Sequence, residues 1–257
     1  MRGFARVIAV VPTVVFVLTV GAPGRTEAVR GGAPAGFEAE WAAVAETIHA
    51  LPLGYLAKLS LTSRVKSELQ ANAEVFGGSI PVTQIRRLLQ YLANAKVPPL
   101  TLVQATNVVD AAARLDASPG TVARLLYSVE TRAGGASLAG LETVARAYGS
   151  LVASLRRAEP DRAAKAIETA ADVAVQYLAE ADAEYVARVV VALGDEARAE
   201  SSSGGITELV ARIDAALGAG VSAATLSALV DAFAPAGSVG AAVFPEAGAE
   251  LGALSGE

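Results

Sequence analysis

Apolar residues along this chain recur at helical spacing almost from end to end. Phe37, Trp41, Val44, Ile48 and Leu51 follow one another at steps of four, three, four and three, which puts all five on one face of a helix that Pro52 stops. Glu38, Glu46 and His49 fall off that face. From Ser60 onward a theme repeats: a Ser, Thr, Asp, Gly or Pro opens a segment, apolar positions follow at helical spacing, and a Gly, Pro or Ser cluster closes it. The first such helix begins near Thr62. Pro81 then leads Ile85, Leu88, Leu89 and Leu92, and Pro98 leads Leu102, Ala105, Val108 and Val109. Ser118 leads Val122, Leu125, Leu126 and Val129, and Ser137 leads Leu141, Val144, Ala145 and Tyr148. Ser222 leads Leu226, Leu229, Val230 and Phe233, and looser members open at Pro160, Asp182 and Gly205.

The openers lie 17 to 23 residues apart, one helix plus a short turn. Two units make an antiparallel hairpin of about 40 residues, close to the period of HEAT and armadillo arrays. The spacing therefore predicts an all-α chain, built as a multi-helical antiparallel hairpin stack of α-solenoid type or as an irregular helical bundle. Period-two alternation is missing from the body, so no strand is expected. Neither a tetratricopeptide pattern of Trp, Leu-Gly and Tyr nor the Thr-Pro-Leu-His of ankyrin is present. Gly-Gly pairs at 77 and 78, 134 and 135, and 204 and 205 are expected to close helices in the left-handed conformation.

The start of the chain reads differently. Arg2 and Arg6 precede an uncharged stretch from Val7 to Gly24, and small residues continue to Ala28, the layout of a secretory signal peptide over residues 1–28. The competing expectation is an uncleaved anchor through residues 7–24. Residues 29–35 read as a flexible leader and residues 36–234 as a single helical domain, with a sub-boundary candidate in the Ser-Ser-Ser-Gly-Gly of 201–205. Residues 235–257 hold five glycines, two prolines and no Lys or Arg, and read as a flexible tail. An exported protein, periplasmic or extracellular, is the expectation.

Composition narrows the chemistry. The 257 residues carry 21 Lys and Arg against 26 Asp and Glu, a net charge of -5. Residues 1–28 hold Arg2, Arg6, Arg25 and Glu27, so the rest carries 18 minus 25, or -7. That balance speaks against nucleic acid or anionic lipid as the main partner. With no cysteine, Cys-ligated zinc, iron–sulfur clusters, thiol nucleophiles and disulfides are excluded, and with His49 alone so is a histidine-rich metal site. After residue 28 the longest purely apolar run is Val189 to Leu193, far short of a membrane span.

Four residue sets invite a chemical reading. Ser63-Arg64-Val65-Lys66 has the Ser-x-x-Lys spacing that sets an amine beside a hydroxyl nucleophile, but the chain lacks the companion Ser-Asp-Asn and Lys-Thr-Gly, and both residues are expected on an outer helix face. Glu46 and His49 have the Glu-x-x-His spacing of di-iron bundles, which need two such motifs. Glu180, Asp182, Glu184, Asp195, Glu196 and Glu200 form an acidic region without the glycine of a calcium loop. Arg156 and Arg157 precede Pro160, where they are expected to complement a helix dipole in preference to holding an anion. No catalytic, cofactor or metal residue set is assigned. The expected function is a non-enzymatic exported scaffold that binds a protein partner or forms a homo-oligomer, with membrane contact only through an uncleaved N-terminal segment. A carrier of an apolar ligand ranks second, and a serine hydrolase using Ser63 and Lys66 third. N-terminal sequencing of protein from the native host should begin between Pro23 and Val29; an intact Met1 in a membrane fraction would establish the anchor instead.

Overall fold

The computed structural model describes residues 36–115, 117–135, 138–199 and 205–233. The signal peptide, leader, Ser-rich boundary and tail expected from the sequence lie outside these residues. Ten α-helices occur within them: α1 (Phe37–Ala50), α2 (Tyr55–Phe76), α3 (Val82–Asn94), α4 (Pro99–Arg114), α5 (Pro119–Ala133), α6 (Ala139–Leu155), α7 (Pro160–Gln176), α8 (Ala183–Arg198), α9 (Gly205–Gly218) and α10 (Ala223–Phe233). A short 3-10 turn, Glu180–Asp182, leads into α8. No strand occurs among the described residues.

The openers read from the sequence sit at, or within two residues of, the helix starts, but they work differently from expectation. None of α1 to α8 has a side-chain hydrogen bond at its N-cap. Helices α4, α5 and α7 instead begin with a proline, whose fixed φ suits the first turn and whose missing N–H is no loss there. Ser222 is the opener that caps in the expected way, its Oγ accepting the Thr225 amide at 3.2 Å.

Two expectations need correction. Helix α2 begins at Tyr55, seven residues before Thr62. Its first six residues carry no buried side chain and the inward stripe of Leu61, Val65 and Leu69 starts only afterwards, so apolar periodicity could not see the opening turns. Of the glycine pairs, Gly77 and Gly78 are left-handed, at φ 71° and 69°, and let α2 turn sharply into α3. Gly134 closes α5 at φ -80°, in the right-handed region, and Gly205 opens α9 instead of closing a helix.

Packing follows an alternation. Helices α1–α2, α3–α4, α5–α6, α7–α8 and α9–α10 pair as hairpins, each odd-numbered helix packs on the next odd one, and each even-numbered helix on the next even one. This is a two-layered stack of hairpins, the first of the two architectures that the spacing allowed. Side-chain bonds repeat the period. Glu40 accepts the Ile80 amide 40 residues on, Asn107 donates to Glu68 39 residues back, Tyr91 donates to the Glu130 carbonyl 39 residues on, and Tyr177 donates to the Val221 carbonyl 44 residues on.

The core is continuous through both layers and is filled by the positions the series picked out, among them Ile85, Leu88, Leu125, Val144, Ile167, Leu193 and Ile213. Helix α7 buries five alanines, Ala163, Ala166, Ala170, Ala171 and Ala174, so helices can lie close against it. Helices α6 and α8 approach closely. A Cβ on Gly194 would stand 3.2 Å from the Leu151 Cα and 3.2 Å from the Ser154 Cβ. No described helix is long and apolar enough to cross a membrane.

Leu125→Ala should cost about 2–5 kcal/mol by denaturant unfolding, because Leu125 is fully buried at the repeated offset and its removal leaves a cavity. Gly194→Ala should lower the melting temperature despite a helix-propensity gain of about 1 kcal/mol, since the methyl meets backbone that cannot turn aside. Gly218→Ala, where a Cβ meets nothing within 4 Å, should not.

Candidate functional site

Helix α4 lies between α2 and α6 in the even layer and is buried nearly all round. A helix so placed can carry polar side chains only if neighbouring helices satisfy them. It carries Asn107, Asp110 and Arg114, at spacings of three and four that set them along one side. Glu68 and Asn72 face them from α2, again four apart, and Arg156 reaches over from the C-terminal cap of α6.

These six side chains form one network of two cations and two carboxylates. Asn72 Nδ2 donates to Asn107 Oδ1 and to Asp110 Oδ2, both at 2.9 Å. Arg114 Nε donates to the two Asp110 oxygens at 3.0 and 2.9 Å, and its Nη1 to the carbonyls of Gly77 and Gly78 at 2.6 Å each, which holds the turn after α2. Arg156 Nε donates to Asn72 Oδ1 at 2.9 Å, and its Nη2 to Glu68 Oε2 at 2.5 Å and Asn107 Oδ1 at 3.2 Å. Burial pushes the Asp110 carboxyl up to about 6, against the pull of Arg114, Asn72 and Arg156. Arg114 Nη2 is the one group of the six residues left buried without a hydrogen-bond partner.

The arrangement can clamp but has little to react with. Its carboxylates are engaged by guanidinium and amide donors, and no hydroxyl, thiol or imidazole is among its members. A second buried set ties the other layer: Arg132 of α5 donates to the Tyr177 and Ala179 carbonyls at the end of α7. Ser128 and Tyr148 hydrogen bond at 3.3 Å between α5 and α6, where burial pushes the Tyr148 phenol up to about 12.

The sequence candidates land elsewhere. Ser63 is exposed, and the Lys66 amine is drawn to α1, 3.0 Å from Glu38 Oε2 and 5.8 Å from the centre of the Trp41 ring. Glu46 and His49 are both exposed, as the stripe on α1 requires. In the acidic region Asp195 pairs with Arg198 at 3.4 Å, and among the described residues no group of three or more His, Asp or Glu is placed to hold a metal. Arg157 donates to the Ala153 carbonyl at 3.4 Å, a helix-end role. Arg156 departs from expectation, because residues 84 and 88 positions earlier in the chain draw its guanidinium inward. The remaining network members escaped notice in the sequence. Their signal was the Asn-x-x-Asp-x-x-x-Arg run in a segment otherwise apolar enough to be buried on every side.

One surface stands apart. Helix α2 opens with Tyr55, Leu56 and Leu59 exposed by 77%, 71% and 55%, large apolar side chains within little more than one turn. Between Leu53 and Ser67 the sequence has Lys58, Arg64 and Lys66 and no acid, a basic segment in an acidic chain. No family model, curated protein or solved structure matches the chain. Thr47, Ala50, Leu51, Pro52, Gln90 and Asn94 line an open cleft of about 190 Å³ between the end of α1 and α3.

Arg114→Ala should cost about 3–5 kcal/mol, because it takes the ion-pair partner from the buried Asp110 while the Gly77 and Gly78 carbonyls lose their donor. The pH dependence has a defined sign. The folded chain holds the Asp110 proton up to about pH 6 against an ordinary value of 3.8, so the stability this group contributes is full below about pH 4 and is lost as pH rises through 6. Asn cannot titrate. The stability of Asp110→Asn relative to the parent, followed by thermal melts, should therefore rise between pH 4 and 6; a flat difference would mean that the carboxyl is not raised.

Proposed function

We propose that this chain is an exported, non-enzymatic helical-hairpin scaffold that binds protein, a partner or another copy of itself, through the opening turns of α2. The observation that carries this is the exposure of the opening turns of α2, whose first buried side chain is Leu61. Fully burying a side chain such as Leu is worth roughly 1.5–3 kcal/mol, so leaving Tyr55, Leu56 and Leu59 in water forgoes several kcal/mol that a partner would recover. Clustered exposed apolar residues with a polar rim are the usual mark of an interaction site. Export rests on Arg2, Arg6 and the uncharged stretch to Gly24.

The carrier reading stands second: the cleft described between α1 and α3, at about 190 Å³, is smaller than the roughly 300–1,000 Å³ typical of ligand sites and gives that reading no support. The hydrolase reading stands third because Lys66 is engaged by Glu38 and Trp41. Native mass spectrometry of the purified protein separates the first two: a bound protein or homo-oligomer supports the scaffold, and co-purifying lipid the carrier. In the scaffold reading Leu56→Asp/Leu59→Asp should abolish the protein complex while leaving the far-UV circular dichroism spectrum and melting temperature unchanged. Retention of the complex by that folded variant would exclude this surface.

A further inference from the structure

The cleft between the end of α1 and α3 is too small to enclose a whole ligand, yet its polar wall is ordered. Gln90 and Asn94 stand four residues apart on α3, so their carboxamides lie on one side of the helix, one turn or about 6 Å apart. Both side chains are exposed, and neither takes part in a described hydrogen bond. One turn before Gln90, Arg86 is anchored toward α1: its Nε donates to Thr47 Oγ1 at 2.9 Å, and Thr47 donates in turn to the Ala43 carbonyl at 3.1 Å. Arg86 forms none of the described ion pairs, and its two Nη groups have no described partner. Ala50, Leu51 and Pro52 make the cleft apolar on the α1 side, and none of the residues lining it is acidic.

These features select a ligand. A carboxamide has both an acceptor and donors, so it can pair in two directions with a backbone peptide group. An extended chain repeats its peptide groups in the same orientation every two residues, roughly 6.6 Å, which is close to the one-turn rise between Gln90 and Asn94. Its side chains alternate between faces, so one can rest on Leu51 and Pro52 while the backbone runs along α3. A carboxylate on that chain meets Arg86, the cation nearest the carboxamide pair on α3 that no acid neutralises. An open cleft of about 190 Å³ suits part of a longer chain that enters and leaves through its open side. We infer that the cleft between α1 and α3 binds a short extended peptide segment bearing a carboxylate, with Gln90 and Asn94 pairing with its backbone, Leu51 and Pro52 holding one side chain and Arg86 taking the acid. This goes beyond the scaffold reading, whose surface is the start of α2, and uses none of Tyr55, Leu56 and Leu59.

Selection of a phage-displayed random heptapeptide library on the immobilised full-length protein tests it, with the enriched peptides then synthesised and their affinities measured by fluorescence anisotropy. The enriched sequences should share an Asp or Glu. Gln90→Ala/Asn94→Ala should weaken binding at least about tenfold, since two carboxamides each lose their hydrogen bonds to the peptide. Arg86→Ala should weaken it severalfold, and that effect should vanish for the same peptide with its acid replaced by the amide. Thermal melts by circular dichroism check that each variant is folded. The Leu56→Asp/Leu59→Asp variant should bind the peptide like the parent, so failure of the scaffold reading and failure of this one are told apart. The proposal is overturned if no peptide is enriched, or if every enriched peptide binds folded Gln90→Ala/Asn94→Ala as well as it binds the parent. Displacement of the peptide by succinate at equal concentration would also overturn it, by showing a site for small anions in place of one for a peptide backbone.

Discussion

No hairpin of this chain can bury its own apolar faces. Each helix carries two apolar flanks, one for its hairpin mate and one for the helix two places along, and the second flank stays wet until the next hairpin arrives about 40 residues later. The rest of the structure depends on that constraint. It makes the odd and even helices form separate layers, it makes the core continuous from α1 to α10, and it repeats in the polar bonds that join Glu40 to Ile80, Glu68 to Asn107 and Tyr177 to Val221. It also selects small residues where layers approach closely, as at Gly194 against Leu151. At the first hairpin α2 has an even-layer neighbour on one side only, α4, and there Tyr55, Leu56 and Leu59 stay exposed.

Apolar contact alone would let the even helices slide past one another, since alanine-rich faces offer few distinctive shapes. The network of Glu68, Asn72, Asn107, Asp110, Arg114 and Arg156 fixes one register for α2, α4 and α6, because a shift by a single turn would leave buried charges unpaired. Burying Asp110 and Arg114, with Glu68 and Arg156 partly buried beside them, is expensive, and the raised Asp110 carboxyl records that expense. What the network supplies is specificity. Arg114 further holds the left-handed Gly77-Gly78 turn, so that the clamp between helices and the reversal of the chain share one side chain.

The fold was legible because it is a matter of local period. The series after Ser118 placed Leu125 and Val129 in the core from spacing alone, and openers such as Pro98 and Ser222 marked helix starts to within a residue. The opening of α2 was hidden for the reason that makes it of interest: Leu56 and Leu59 point away from the core and so break the stripe that periodicity detects. Within the buried network only Asp110 and Arg114 are bonded partners near in sequence, and their signal was a charged pair in an apolar segment; the bonds that join α2, α4 and α6 link residues 35 to 88 apart, a distance over which no local pattern in one sequence carries information. Arg156 illustrates the difficulty. Its place before Pro160 matched the end of a helix, and nothing near it in the chain announced that Glu68 and Asn72 would draw it inward.

The central claim is that stability here is a sum of hairpins and the interfaces between neighbours. Native-state hydrogen exchange, read amide by amide across α1 to α10, tests it most directly. The account predicts graded protection, with α4, α6 and α8 exchanging only through global unfolding and the end pairs α1–α2 and α9–α10 opening at lower free energy and independently of each other. One uniform protection level, reached by all ten helices in a single cooperative step, would contradict it.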